Sequence, residues 1–225
     1  MKRAILILFL LITISVSSTQ AKDVLHLKTY FDFTTEQLQS MLAKAKNDTA
    51  RLDILNSLIA NKESSNNPND IDTNYIKQLI TINTAKKLIN DKPYRMLLQA
   101  MRAGLKNNLS AELEQLKLTV EEFDLDGIDA TEVLLDMRWV FNIVNKQAEK
   151  QRYYTKKLNQ YLQEKNYHNA AACYHALAGY YMFIGDINSG INNYLEADDL
   201  FKSFSKFWYV NEILVVGNAY NDWGN

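Results

Sequence analysis

The chain has 225 residues, enough for one domain or a short repeat array, and 47% of them are hydrophobic, enough for a substantial core. Two prolines and seven glycines are few, which favours long helices over a fold of many tight β turns. A formal net charge of −1 with no basic stripe argues against nucleic acid as a partner.

The chain opens like an export signal. Lys2 and Arg3 form a basic start, Ala4 to Val16 is apolar except for Thr13 and Ser15, and small residues stand at Thr19 and Ala21. This is the layout of a secretory signal peptide over residues 1–21, with cleavage expected after Ala21. The run is short for a membrane span, which wants about 20 apolar residues. Losing Lys2 and Arg3 leaves 23 basic against 26 acidic residues, a mature charge of −3. No Cys follows the cleavage site, which argues against a lipid anchor, and no later segment is apolar enough to cross a membrane.

The mature sequence reads as helix nearly throughout. Residues 22–47 form a lead-in whose helix starts at a Thr cap, with Leu38, Met41, Leu42 and Ala45 on one face. A second helix starts at Asp48 as its cap. Asn61–Asp72 is polar, contains Pro68 and is expected as a loop. Further helices are expected over Thr73–Ile89, Pro93–Leu105, Ser110–Phe123, Thr131–Lys146, Glu149–Leu162, Asn169–Ile184, Ile187–Phe204 and Trp208–Trp223. Pro93 suits a first helical turn, where a missing N–H costs nothing.

A pattern recurs along these helices. Tyr174, Leu177, Ala178 and Tyr181 are matched 39 residues later by Ile213, Val216, Gly217 and Tyr220. They are matched 40 residues earlier by Leu134, Met137, Arg138 and Phe141, and 40 before that by Tyr94, Leu97, Leu98 and Met101. Leu55, Leu58 and Ile59 fill the first three slots another 39 back, with Lys62 in the fourth. Spacings of 3, 4 and 7 are common in any helix; their recurrence at 39–40 residues is not expected by chance. The small residues then gain a purpose. Ala178, Gly217 and Gly190 would stand where two helices approach closely, Gly185 would end a helix in a conformation open to Gly, and Asp186 would cap the next.

Tyr174-x2-Leu177-Ala178-x2-Tyr181, followed by Gly185-Asp186 and Gly190-x3-Tyr194-x2-Ala197, resembles a tetratricopeptide repeat (TPR). The match is close for the last one and a half units and degenerate for the first three. Lys202 replaces the family's terminal Pro, and the period exceeds the standard unit of about 34. The front of the array, "AKNDTARLDILNSLI" and "NPNDIDTNYIKQLITINTAKKL", resembles exported TPR regions of bacterial signalling proteins, many of them sensor histidine kinases. The resemblance implies an all-α solenoid of stacked antiparallel helix pairs over 48–225. The last repeat stops at Asn225, where its second helix should begin. It also implies a periplasmic location, or the periplasmic side of the inner membrane within a longer protein. Membrane attachment is then expected only through the signal peptide or a further C-terminal part.

Chemistry-bearing motifs are sparse. "EFDLDGIDATEV" (Glu122–Val133) has the acids and glycine of a calcium loop, but Val133 replaces the closing Glu and Asp129 the apolar position, so a solvated acidic loop is expected. His168 and His175 are two helical turns apart, too far for one metal, and Cys173 points elsewhere. No phosphate loop, H-E-x-x-H, nucleophile elbow or kinase motif occurs. No enzyme, cofactor or metal is expected in this chain.

The resemblance further implies a groove for a protein or peptide partner, lined by the inner face of each unit's first helix. By position that face holds Leu135, Trp139 and Asn142, then His175, Met182 and Phe183, then Leu214, Asn218 and Asn221. Some of these side chains could equally pack against the neighbouring unit. The expected function is a non-catalytic interaction scaffold, the periplasmic sensor part of a larger signal-transduction protein. The competing class is a self-contained periplasmic helical enzyme, which a convergent cluster of titratable groups would favour. The last helix, 208–223, bears an apolar stripe of Ile213, Val216 and Tyr220, so self-association through it is expected.

Overall fold

The computed structural model describes residues 27–30, 32–60 and 68–203. The expected signal peptide, the expected helix 208–223 and the groove positions Leu214, Asn218 and Asn221 lie outside them. The described part is all-α. Its helices are α1 (Thr35–Lys44), α2 (Asp48–Ala60), α3 (Pro68–Lys86), α4 (Lys92–Leu105), α5 (Leu109–Asp126), α6 (Thr131–Ile143), α7 (Gln147–Glu164), α8 (Tyr167–Phe183) and α9 (Ile187–Lys202), with no strand among the described residues.

Local chemistry sets the helix starts. Thr34 caps α1 through a reciprocal capping box with Gln37. The cap of α2 is Asn47, one residue before the expected Asp48: its Oδ1 accepts from the Ala50 N–H at 2.7 Å. α3 begins at Pro68, inside the expected loop, because Pro fits the first helical position. Asn108, Asn166 and Asp186 cap α5, α8 and α9 by accepting from the backbone three residues on.

The helix ends follow two forms. Two residues beyond α4, α6 and α8 stand Asn107 (φ 56°), Asn145 (φ 56°) and Gly185 (φ 81°), all left-handed. The next N–H then reaches back across the turn: Asn108 to the Ala103 carbonyl at 2.9 Å, Lys146 to Phe141 at 3.1 Å, Asp186 to Tyr181 at 3.0 Å. α3, α5 and α7 are instead followed directly by Lys87 (φ 52°), Gly127 (φ 65°) and Lys165 (φ 57°). These six are the positive-φ residues among the described ones.

Each helix packs on the next along the chain, and α6 also packs on α8. The apolar positions of the recurring pattern form the interior: Leu58, Leu97, Met137 and Leu177 are buried, as are Leu55, Tyr94 and Leu134, whereas Tyr174 is half-buried. The main core runs from Leu38 to Leu177, and a smaller cluster of Ala171, Ala197 and Phe201 joins α8 to α9. Gly190 of α9 permits a close approach. A Cβ there would lie 2.6 Å from the Met182 sulfur and 3.3 Å from the Met182 backbone N.

Side-chain ties link α5 to α7. Lys157 is buried, with its Nζ 2.7 Å from Asp124 and 2.9 Å from Glu121, while the Tyr161 hydroxyl donates to Asp124 at 2.8 Å. Lys117 pairs with Glu149 at 2.5 Å. The stretch expected as an acidic loop is therefore different. Helix α5 runs through Asp126, and Gly127 ends it. Asp124 is committed to Lys157 and Tyr161, and Asp126 accepts from Asn90 at 2.7 Å. Burial nevertheless pushes the Asp124 carboxyl above its usual range, against the lowering effect of Lys157.

Candidate peptide-binding surface

The most informative polar residues lie on α2. Asp53, Asn56 and Ser57 are all buried, although their neighbours Leu52, Ile54, Leu55 and Leu58 are core. Spacings of three and four put the polar trio on one face. The extended segment Leu27–Tyr30 runs along that face. The Lys28 N–H donates to Asp53 Oδ1 at 2.9 Å, and the Tyr30 N–H donates to Ser57 Oγ at 2.9 Å. Asn56 Nδ2 donates to the Lys28 carbonyl at 3.2 Å and to Thr29 Oγ1 at 3.0 Å.

The Asn56 amide is fixed from behind. Tyr94 of α4, itself fully buried, donates its hydroxyl to Asn56 Oδ1 at 2.7 Å. That contact uses the carbonyl end of the amide and turns the NH2 towards the segment. Apart from Thr29 Oγ1, every one of these partners is a backbone N–H or C=O. These contacts depend little on the side chains of the segment they hold, because any non-proline residue offers the same groups.

Asn56 also opens onto a narrow slot of about 30 Å³, room for about one water, between α2, α4 and α6. Ile59, Met101 and Val133 supply its apolar wall. Half-buried carboxylates of Asp129, Glu132 and Asp136 supply its charge. Asp129 is shared: its Oδ1 accepts from the Thr131 N–H at 3.0 Å and its Oδ2 lies 3.3 Å from His168 Nδ1.

The groove positions expected from the sequence divide into two groups. Trp139 and Phe183 are open to solvent, 60% and 67% exposed, and Ile143, four residues after Trp139 in α6, is 65% exposed. The Arg138 guanidinium stands 5.0 Å from the Trp139 ring centre, a cation–π contact. Asn142 is exposed. Leu135 is half-buried against the core. His175 is buried, contacted by Arg138 as donor and by the Tyr194 ring edge-on at 5.2 Å. Met182 fills the space that Gly190 leaves. His175 and Met182 thus serve the packing between helices, while Trp139, Asn142 and Phe183 face outward.

One further group stands out. Lys150 of α7 is fully buried, and its Nζ donates to Asn142 Oδ1 at 3.0 Å. Burial, reinforced by the charge of Arg138, pushes its ammonium down to about 8. Gly179 lies beside it: a Cβ there would be in ordinary contact, 3.9 Å from both Lys150 Nζ and the Tyr194 hydroxyl. Cys173 is also fully buried, and burial raises its thiol well above the usual range, so it has none of the character of a reactive cysteine. Among the described residues no group of three or more His, Cys, Asp or Glu is arranged to hold a metal ion, and no helix is long and apolar enough to cross a membrane.

The apolar spacing along α2 does not single out the trio. The three polar residues interrupt the apolar run Leu52–Ala60, but that spacing does not say whether they face solvent or another part of the chain. No protein-family model, no curated protein and no solved structure matches this chain.

Proposed function

We propose that this chain is a non-catalytic scaffold for extended polypeptide partners, built as an array of TPR-like antiparallel helix pairs. The pairs would be α2/α3, α4/α5, α6/α7 and α8/α9. In this reading it is exported and forms the periplasmic sensor part of a larger signal-transduction protein.

The observation that carries the reading is the way α2 holds Lys28–Tyr30, with three buried side chains taking up backbone N–H and C=O groups of a non-helical segment. The helix ends support the repeat. Asn107, Asn145 and Gly185 follow one another at 38 and 40 residues, and Lys87, Gly127 and Lys165 at 40 and 38. Hydrogen bonds between successive units span about one period as well: Tyr94 to Asn56 across 38 residues, Tyr161 to Asp124 across 37, and the Ala130 N–H to Asn169 across 39. Trp139, Asn142 and Phe183 are exposed and would offer a longer peptide further side chains to contact.

The test is binding in trans. A chain beginning at Thr34 is titrated with a synthetic peptide of residues 24–33 and with a scrambled peptide of the same composition, after circular dichroism confirms its helix content. Both peptides should bind, since the contacts are chiefly to backbone, and Asn56→Leu should abolish both. Failure of either peptide to bind the folded chain would remove the basis for a general peptide-binding face.

A further inference from the structure

A second cleft lies between α3 and α4, away from the α2 face. Its volume is about 320 Å³, within the range of small-molecule sites. Lys77, Ile80 and Thr81 line it from α3, and Arg95, Leu98, Gln99 and Arg102 from α4. Three of these seven residues are cationic and none is acidic, on a chain whose overall charge is negative.

The helix geometry sets out the charges. Arg95 and Arg102 are seven residues apart, two turns and about 10 Å along one face, with Gln99 between them. Arg95 lies opposite the C-terminal part of α3, where its Nη2 is 3.5 Å from Thr84 Oγ1. Arg95 is partly neutralised by Asp91, whose Oδ2 is 2.7 Å away. Lys77 and Arg102 are exposed, and among the described residues neither forms an ion pair with a carboxylate. Between the charges, half-buried Ile80 and the nearly inaccessible Leu98 form an apolar strip. Cations gathered in a concavity raise the local positive potential, and an anion that bridges them relieves their mutual repulsion.

We propose that the α3–α4 cleft binds a small multivalent oxyanion, of the phosphate-ester or polycarboxylate class, held by Lys77, Arg95 and Arg102. The guanidinium forks offer paired donors that fit either oxyanion, and the Lys77 ammonium adds a point charge. The Gln99 amide, on the same face as the two arginines, supplies an uncharged donor. This site is independent of the peptide-binding reading, since it shares no residue with the α2 face.

The experiment is calorimetric titration of the full chain with pyrophosphate and, separately, with citrate, in about 0.15 M salt so that diffuse attraction is screened. Saturable one-to-one binding of at least one anion is expected, and the preferred anion identifies the phosphate or carboxylate source. The Lys77→Gln/Arg102→Gln double variant should bind at least about tenfold more weakly. Lys106→Gln, at an exposed lysine outside the cleft, should bind as the parent does. Absence of saturable binding by both anions would overturn the proposal. So would a double variant that binds like the parent, or an equal loss in Lys106→Gln, which would mark general charge attraction.

Discussion

Tyr94 and Asn56, thirty-eight residues apart, meet in a buried hydrogen bond of 2.7 Å, and the amide so oriented holds the carbonyl of Lys28. One contact therefore serves two purposes: it ties α4 to α2, and it turns the Asn56 NH2 towards the segment Lys28–Tyr30. Tyr94→Phe keeps the ring and leaves Asn56 Oδ1 without its donor. A buried acceptor stripped of its partner costs about 1–3 kcal/mol. We expect that loss in urea unfolding, together with faster amide exchange at Tyr30. Unchanged stability and exchange would mean that the amide is held by other contacts.

Gly190 and Gly185 should fail for different reasons when replaced by alanine. At 190 the added methyl meets Met182 at its sulfur and at its backbone, so Gly190→Ala forces a shift costing about 1–3 kcal/mol. Met182→Ala in the same chain should recover part of this, since the sulfur is the nearer obstacle and the two effects couple. At 185 nothing lies within 4 Å of the new methyl, but φ is +81°, and a left-handed alanine costs about 1–2 kcal/mol. No such rescue should exist there. Equal recovery of both variants by Met182→Ala would contradict the packing assigned to Gly190.

Lys150 predicts a pH dependence. Its ammonium titrates near 8 in the native chain against 10.5 when unfolded. Between those values the unfolded chain keeps a proton that the native chain has released, so stability rises with pH across the window. Below about 8 both states are charged, and the native state bears the full cost of the buried ammonium. Lys150→Met, which keeps the length and removes the charge, should stabilise the chain by at least about 1 kcal/mol at pH 7. It should also flatten the rise that the parent shows between pH 8 and 10. A parent and variant with parallel pH profiles would show that Lys150 is not desolvated as described.

The export reading predicts a mature chain beginning at Lys22. Intact mass measurement on protein made in its own host decides it. Recovery of chains that retain Met1 in the membrane fraction would replace the cleaved signal with an anchor.

What the sequence determined by itself was local. Helix existence and approximate length follow from apolar residues at spacings of three, four and seven, and the caps at Thr34 and Asp186 follow from side chains that bond within their own turn. Gly185 belongs to the same class, because a left-handed residue after a helix is a demand that one position makes on its own. The helix boundaries moved where local signals compete. Pro68 reads as a loop residue but also suits a helix start, and Gly127, not the acidic run before it, ends α5. Only the tertiary structure decided which polar residues are buried. Asp53, Asn56 and Ser57, which the sequence does not single out, are buried where Leu27–Tyr30 lies against them, and His175, expected in a groove, is enclosed by Arg138 and Tyr194. Burial depends on what a distant part of the chain places on a surface, and no spacing within a single helix carries that information.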